Sequence, residues 1–82
     1  MESKSYSILF GGGGELVYQY EVKFCKWTFR VGSWTFLQRC RGIETAHKVA
    51  RIIVGSYKRS GELDNLARNN ISRLISSQQS AY

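Results

Sequence analysis

The six Lys and Arg residues between positions 26 and 51 are Lys26, Arg30, Arg39, Arg41, Lys48 and Arg51. Cationic groups spread along a short segment suit contact with a row of phosphates, because each one neutralises a backbone charge without reading a base. Catalysis asks for a different pattern, in which a nucleophile, a base and an orienting group converge. Six acids are scattered, and no spacing pairs two of them for acid–base work. No serine lies in a GxSxG elbow. Cys40 stands between Arg39 and Arg41, a setting that can lower a thiol pKa, yet no base accompanies it. His47 is the one histidine, and with Cys25 and Cys40 it falls short of the four ligands of a structural zinc site. No enzyme, no metal and no cofactor are expected.

Composition bounds the rest. Twelve Lys and Arg against six Asp and Glu give a net charge of +6, which favours polyanionic partners. Eighty-two residues suffice for a single domain, taken as 1–82, with little mass to spare for a deep active site. The mean hydropathy of −0.31 and the lack of a long apolar run argue against a membrane span. The start Met1-Glu2-Ser3-Lys4-Ser5 lacks the apolar stretch of a signal peptide. Two cysteines are few for a small secreted scaffold, so a cytoplasmic location is expected.

Alternation then locates strands. Tyr6, Ile8 and Phe10 mark the first, and the glycine run 11–14 turns a hairpin. Leu16, Tyr18, Tyr20, Val22 and Phe24 share one face of the second. The apolar phase flips at Trp27, Phe29 and Val31, which calls for a bulge or tight bend at 24–26. Gly32-Ser33 separates two alternating runs and predicts a type II′ turn, setting Val31 opposite Trp34, Phe29 opposite Phe36 and Trp27 opposite Gln38. Extended further, that register places Cys25 opposite Cys40 and Lys26 opposite Arg39. Two buried thiols are preferred there, with a disulfide as the alternative. The other hairpin face carries Lys26, Thr28, Arg30, Thr35, Leu37, Arg39 and Arg41, a basic surface for tracking phosphates.

Helical spacing begins after Gly42. Ala46, Val49, Ala50, Ile53 and Tyr57 form one stripe of a helix capped by Glu44 or Thr45 and ending near Tyr57, with His47, Lys48 and Arg51 on its outer side. A loop at 58–61 follows, with Ser60 as cap of a second helix lined by Leu63, Leu66, Ala67, Asn70, Ile71, Leu74 and Ile75. Asp64 and Arg68 are spaced for an i, i+4 ion pair, and 76–82 read as a frayed tail. The fold class is therefore α+β: an antiparallel sheet of three to four strands followed by two C-terminal helices packed on one face.

Two resemblances refine the expectation. Lys26-Trp27-Thr28-Phe29-Arg30-Val31, Trp34-Thr35-Phe36-Leu37 and the segment from Gly42 to Arg51 resemble APETALA-type and integrase-arm DNA-binding domains. That likeness implies a sheet in the major groove with contacts from Lys26, Arg30, Arg39 and Arg41. Gly61-Glu62-Leu63-Asp64-Asn65, Asn70-Ile71-Ser72-Arg73 and the element order resemble small phage anti-CRISPR inhibitors of type I systems. This second likeness implies a mobile-element inhibitor that blocks a host effector by protein–protein binding, with Tyr6, Tyr18 and Tyr20 as partner-binding aromatics. Direct contact with nucleic acid or a ribonucleoprotein through Lys26, Arg30, Arg39, Arg41, Lys48 and Arg51 is the leading expectation. No membrane partner is expected, and a homodimer is a further option.

Overall fold

The computed structural model describes residues 4–79 and consists of four antiparallel strands followed by two helices, an α+β fold. Two compact units divide between Cys40 and Arg41. The first is the sheet, with strands β1 (Ser5–Phe10), β2 (Gly14–Glu21), β3 (Lys26–Val31) and β4 (Trp34–Gln38) in the order β1-β2-β3-β4. Each strand is a hairpin neighbour of the one before it, so every connection is short.

Pairing rows explain the choice of residues. Tyr6, Tyr18, Phe29 and Phe36 lie side by side across all four strands, and Ile8, Leu16, Val31 and Trp34 form the next row. The Phe29 ring stacks on Tyr18 at 5.5 Å and lies 6.3 Å from Phe36, while Tyr6 stacks on Tyr18 at 5.6 Å. Cross-strand aromatic and β-branched pairs of this kind are the unit that stabilises a sheet. Leu16, Tyr18, Trp27, Phe29 and Val31 are buried.

The Gly32-Ser33 loop gives the expected β3–β4 register, with Phe29 against Phe36 and Val31 against Trp34. Gly32 has φ 58° and Ser33 is not left-handed, as a type II′ turn requires. The flip of apolar phase is achieved by the turn at 22–25, which joins Glu21 to Lys26 as paired residues. Phe24 and Cys25 donate backbone hydrogen bonds to Glu21 and Val22, and Cys25 takes the left-handed φ of 54°. Val22 and Phe24 thus leave the expected apolar face of β2 and stand on the exposed turn.

Two register extensions fail for the same reason. Because β3 starts at Lys26 and β4 ends at Gln38, neither the Cys25–Cys40 pair nor the Lys26–Arg39 pair forms. Both cysteines are free thiols, Cys25 exposed on its turn and Cys40 half-buried beyond β4. Burial pushes the Cys40 thiol up to about 11, opposite to the lowering that flanking arginines would produce.

The second unit is a helical hairpin of α1 (Ile43–Ser60) and α2 (Asn65–Gln79). Gly42 is the N-cap of α1, so Glu44 and Thr45 lie inside the first turn instead of capping it. The helix continues past Tyr57 to Ser60, because Gly61, at φ 77°, turns left-handed and donates its N–H to the Tyr57 carbonyl. Lys58 and Arg59 fall in this last turn, where cations complement the helix dipole. Ala46, Val49, Ala50 and Ile53 are buried on α1, as are Leu63, Ala67 and Ile71 on or beside α2. Leu66 and Asn70, expected on the same stripe, are exposed.

Gly55 lies within α1, and a Cβ built there meets only the Arg59 guanidinium at 3.8 Å. Gly55→Ala is therefore expected to raise stability by about 0.5–1 kcal/mol, the helix-propensity difference, measurable as a higher urea midpoint.

Asp64, not Ser60, caps α2. Its Oδ1 accepts the Ala67 N–H at 2.8 Å and its carbonyl accepts the Arg68 N–H. The ion pair joins Asp64 to Arg59 at 3.1 Å rather than to Arg68. The Ala67 N–H, and then the Arg59 guanidinium, hold the Asp64 carboxyl below the usual carboxylate range. A depressed folded pKa stabilises the fold above the unfolded value of about 3.9, and the gain disappears as pH falls through the folded value. Asp64→Asn keeps a capping oxygen but does not titrate. Its stability profile is expected to lie below that of the parent at neutral pH and to converge with it in acid, as read by thermal melts from pH 7 to 2. Helix α2 includes residues 76–79; the rest of the expected tail lies outside the described residues.

Candidate nucleic-acid interface

The fold separates the basic residues into two settings. On β3, Lys26 and Arg30 project to the face opposite the aromatic rows. Glu21 is the register partner of Lys26, and Glu15 lies on the same face of β2, so two acids balance the two bases. Gln19 also donates to Glu21, at 2.6 Å. Arg39 follows the end of β4 and is exposed. Lys26 and Arg30 thus share their face of the sheet with Glu15 and Glu21.

The helical hairpin is different. From Arg41 onward the sequence has seven Lys and Arg against three Asp and Glu, a net charge of +4, whereas the part up to Cys40 carries +2. Lys48, Arg51 and Lys58 are exposed on α1, and with Gly55 they follow i, i+3, i+7, i+10 spacing. This places them along one side, opposite the buried Ala46, Val49, Ala50 and Ile53. The stripe spans ten residues, about 15 Å of helix. Glu44 is the acid nearest its N-terminal end.

Two shallow grooves flank the start of α1. One, of about 330 Å³, is lined by Arg41, Gly42, Ile43, Glu44, Thr45, Lys48 and Gln78. The other, of about 230 Å³, is lined by Glu44, His47, Lys48 and Arg51. Arg41 donates from Nη1 to the Gln78 carbonyl at 2.8 Å, which fixes its guanidinium at the rim. The structure therefore gathers Arg41, Lys48 and Arg51 from the six expected basic residues and leaves Lys26, Arg30 and Arg39 on the sheet unit. The apolar stripe ends at Tyr57, so Lys58 joins the basic side of α1 only because the helix continues to Ser60. Thr45, expected as a cap, instead lines the larger groove.

The three tyrosines lie on the aromatic side of the sheet. Tyr18 is 4% exposed and stacked, and Tyr6 is half-buried, so both serve the sheet core. Tyr20 remains 38% exposed. Desolvation, and then the neighbouring Cys25 thiol, raise its phenol above the usual range. Beside it the turn exposes Val22 and Phe24 by 64% and 52%, with the Lys23 ammonium 5.7 Å from the Phe24 ring centre.

Among the described residues, no group of His, Cys, Asp or Glu could hold a metal ion, and no helix is long and apolar enough to cross a membrane. Comparison with protein families, curated proteins and solved structures finds no match.

Proposed function

We propose that this protein is a non-enzymatic binding protein that contacts nucleic acid, alone or within a ribonucleoprotein, through the exposed basic side of α1. The observation that carries this reading is the line of Lys48, Arg51 and Lys58 on a unit of net charge +4. Three cations over about 15 Å match roughly four nucleotide steps at 3.4 Å per step along a strand. Such contacts position a phosphate backbone and carry no base readout. The sheet residues Lys26 and Arg30 play a minor part, since Glu15 and Glu21 share their face.

Labelled duplex DNA, single-stranded DNA and RNA, titrated at low and physiological salt, test this reading. Micromolar binding that weakens steeply as salt rises supports it, through counterion release. Absence of binding to all three at physiological salt removes it.

The exposed Tyr20, Val22 and Phe24 favour a second reading, the inhibitor of a host effector complex. Aromatic side chains dominate protein–protein hot spots, and the end of β2 with its following turn presents two aromatic rings beside an apolar Val. That reading expects partner binding with weak salt dependence, lost in a Tyr20→Ala/Phe24→Ala variant.

A further inference from the structure

We infer that α2 is a base-reading element, whose exposed Asn65, Asn69, Ser72, Arg73 and Ser76 enter the major groove of duplex DNA. This inference rests on the nucleic-acid reading and deepens it: α1 supplies phosphate contacts that are blind to sequence, and α2 supplies a sequence preference.

These five residues follow i, i+4, i+7, i+8, i+11 spacing, and all are exposed. At about 100° per residue they fall on one side of α2, opposite the buried Ala67 and Ile71. The row spans about 16 Å of helix, close to five base-pair steps of about 3.4 Å. Its chemistry is unusual for a solvated helix face. Exposed helix positions favour Glu, Lys, Gln and Ala, whereas Asn and Ser rank lower because their side chains compete for the backbone. Four of these five positions hold Asn or Ser. Packing does not impose them at exposed sites, so helix preference is set aside for a row of donors and acceptors, a departure expected at functional positions. Helix α2 also contains no Asp or Glu, while Arg68 and Arg73 give it a charge of +2. No acid along it repels a polyanion.

The residue types select the occupant. An Asn amide sets a donor beside an acceptor and matches the N6 and N7 edge of adenine, and the Arg fork matches O6 and N7 of guanine. A Ser hydroxyl pairs with either kind of group. Leu66, 59% exposed and two turns before Arg73 on the flank of the row, suits the methyl group of thymine. A helix reaches such edges in the wide major groove of B-form DNA, while the major groove of A-form RNA is deep and narrow. Unstacked bases of single strands are held on aromatic rings, and α2 has none. Duplex DNA is therefore the polyanion that this helix fits.

The test uses the full chain and a pool of duplexes randomised over about ten central base pairs, one helical turn, with the bound fraction sequenced. Single-stranded DNA and RNA of random sequence serve as separate probes. The parent is expected to enrich one motif of about four or five base pairs. Asn69→Ala and Arg73→Lys should each flatten the preference at one position by about tenfold in relative affinity, the loss of one bidentate base contact. Arg73→Lys keeps the charge, and both variants should bind an unselected duplex within about twofold of the parent, because the phosphate contacts of α1 remain. Thermal melts of the two variants show that they fold. If the parent binds the duplex pool and enriches nothing, or if the motif is the same in both variants, base reading by α2 is overturned and the α1 reading stands. If the parent binds single strands or RNA but not the duplex pool, the groove assignment falls and the α1 reading again survives. If it binds no nucleic acid, both readings fall.

Discussion

Phe29→Ala is expected to lower the unfolding free energy by about 3–5 kcal/mol, the usual loss when a buried phenylalanine is truncated. Phe29 is fully buried on β3, in the row that also holds Tyr6, Tyr18 and Phe36. Removing its ring takes away the stack on Tyr18 and the tilted contact with Phe36, and it leaves a cavity that neighbouring rings fill only partly. Small domains are stable by about 5–15 kcal/mol, so this one change consumes a large part of the margin. Urea unfolding followed by tryptophan fluorescence measures it. Phe36→Ala, at a half-buried position on β4, should cost less. Equal losses at the two positions would contradict the account of where the sheet is buried.

Ser56→Ala comes next, with an expected loss of about 1–3 kcal/mol from one small oxygen. Ser56 is fully buried in α1, and its hydroxyl ties the end of that helix to the start of α2. It donates to the Glu62 carbonyl at 2.8 Å and accepts the Asp64 N–H at 2.9 Å. Alanine leaves the Glu62 carbonyl with a second donor, the Ser60 hydroxyl at 2.9 Å. The Asp64 N–H loses its partner in a half-buried place, and this accounts for the penalty. Hydrogen exchange at Asp64, faster in the variant than in the parent, would locate the effect. A variant as stable as the parent would show that the hydroxyl is replaceable.

Much of this architecture is written into local chemistry. The β3–β4 register is legible because Gly32-Ser33 admits few turn types, and a two-residue turn fixes every pair that follows. The strand ends are harder to read, since nothing in the residues around Cys25 and Cys40 says that pairing stops at Lys26 and Gln38. Helix ends show the same limit. Ser60 and Asp64 are both good caps, and geometry selects Asp64 because Gly61 carries α1 through Ser60. These end effects decide the site. The balance of Lys26 by Glu21 depends on the β2–β3 register, set by the four-residue turn at 22–25. The basic line on α1 becomes continuous only when the helix reaches Lys58. The cluster of Arg41 and Gln78 could not be read at all, because it joins residues 37 positions apart.

We propose that α1, and not the sheet, carries the polyanion contacts. The most direct test is the salt dependence of binding to one duplex, measured for the parent, for Lys48→Ala/Arg51→Ala and for Lys26→Ala/Arg30→Ala. Each lost phosphate contact reduces the slope of log affinity against log salt by about one. The helix variant should bind more weakly with a slope smaller by about two, while the sheet variant keeps the parent slope. A reduced slope in the sheet variant with an unchanged one in the helix variant would contradict the assignment.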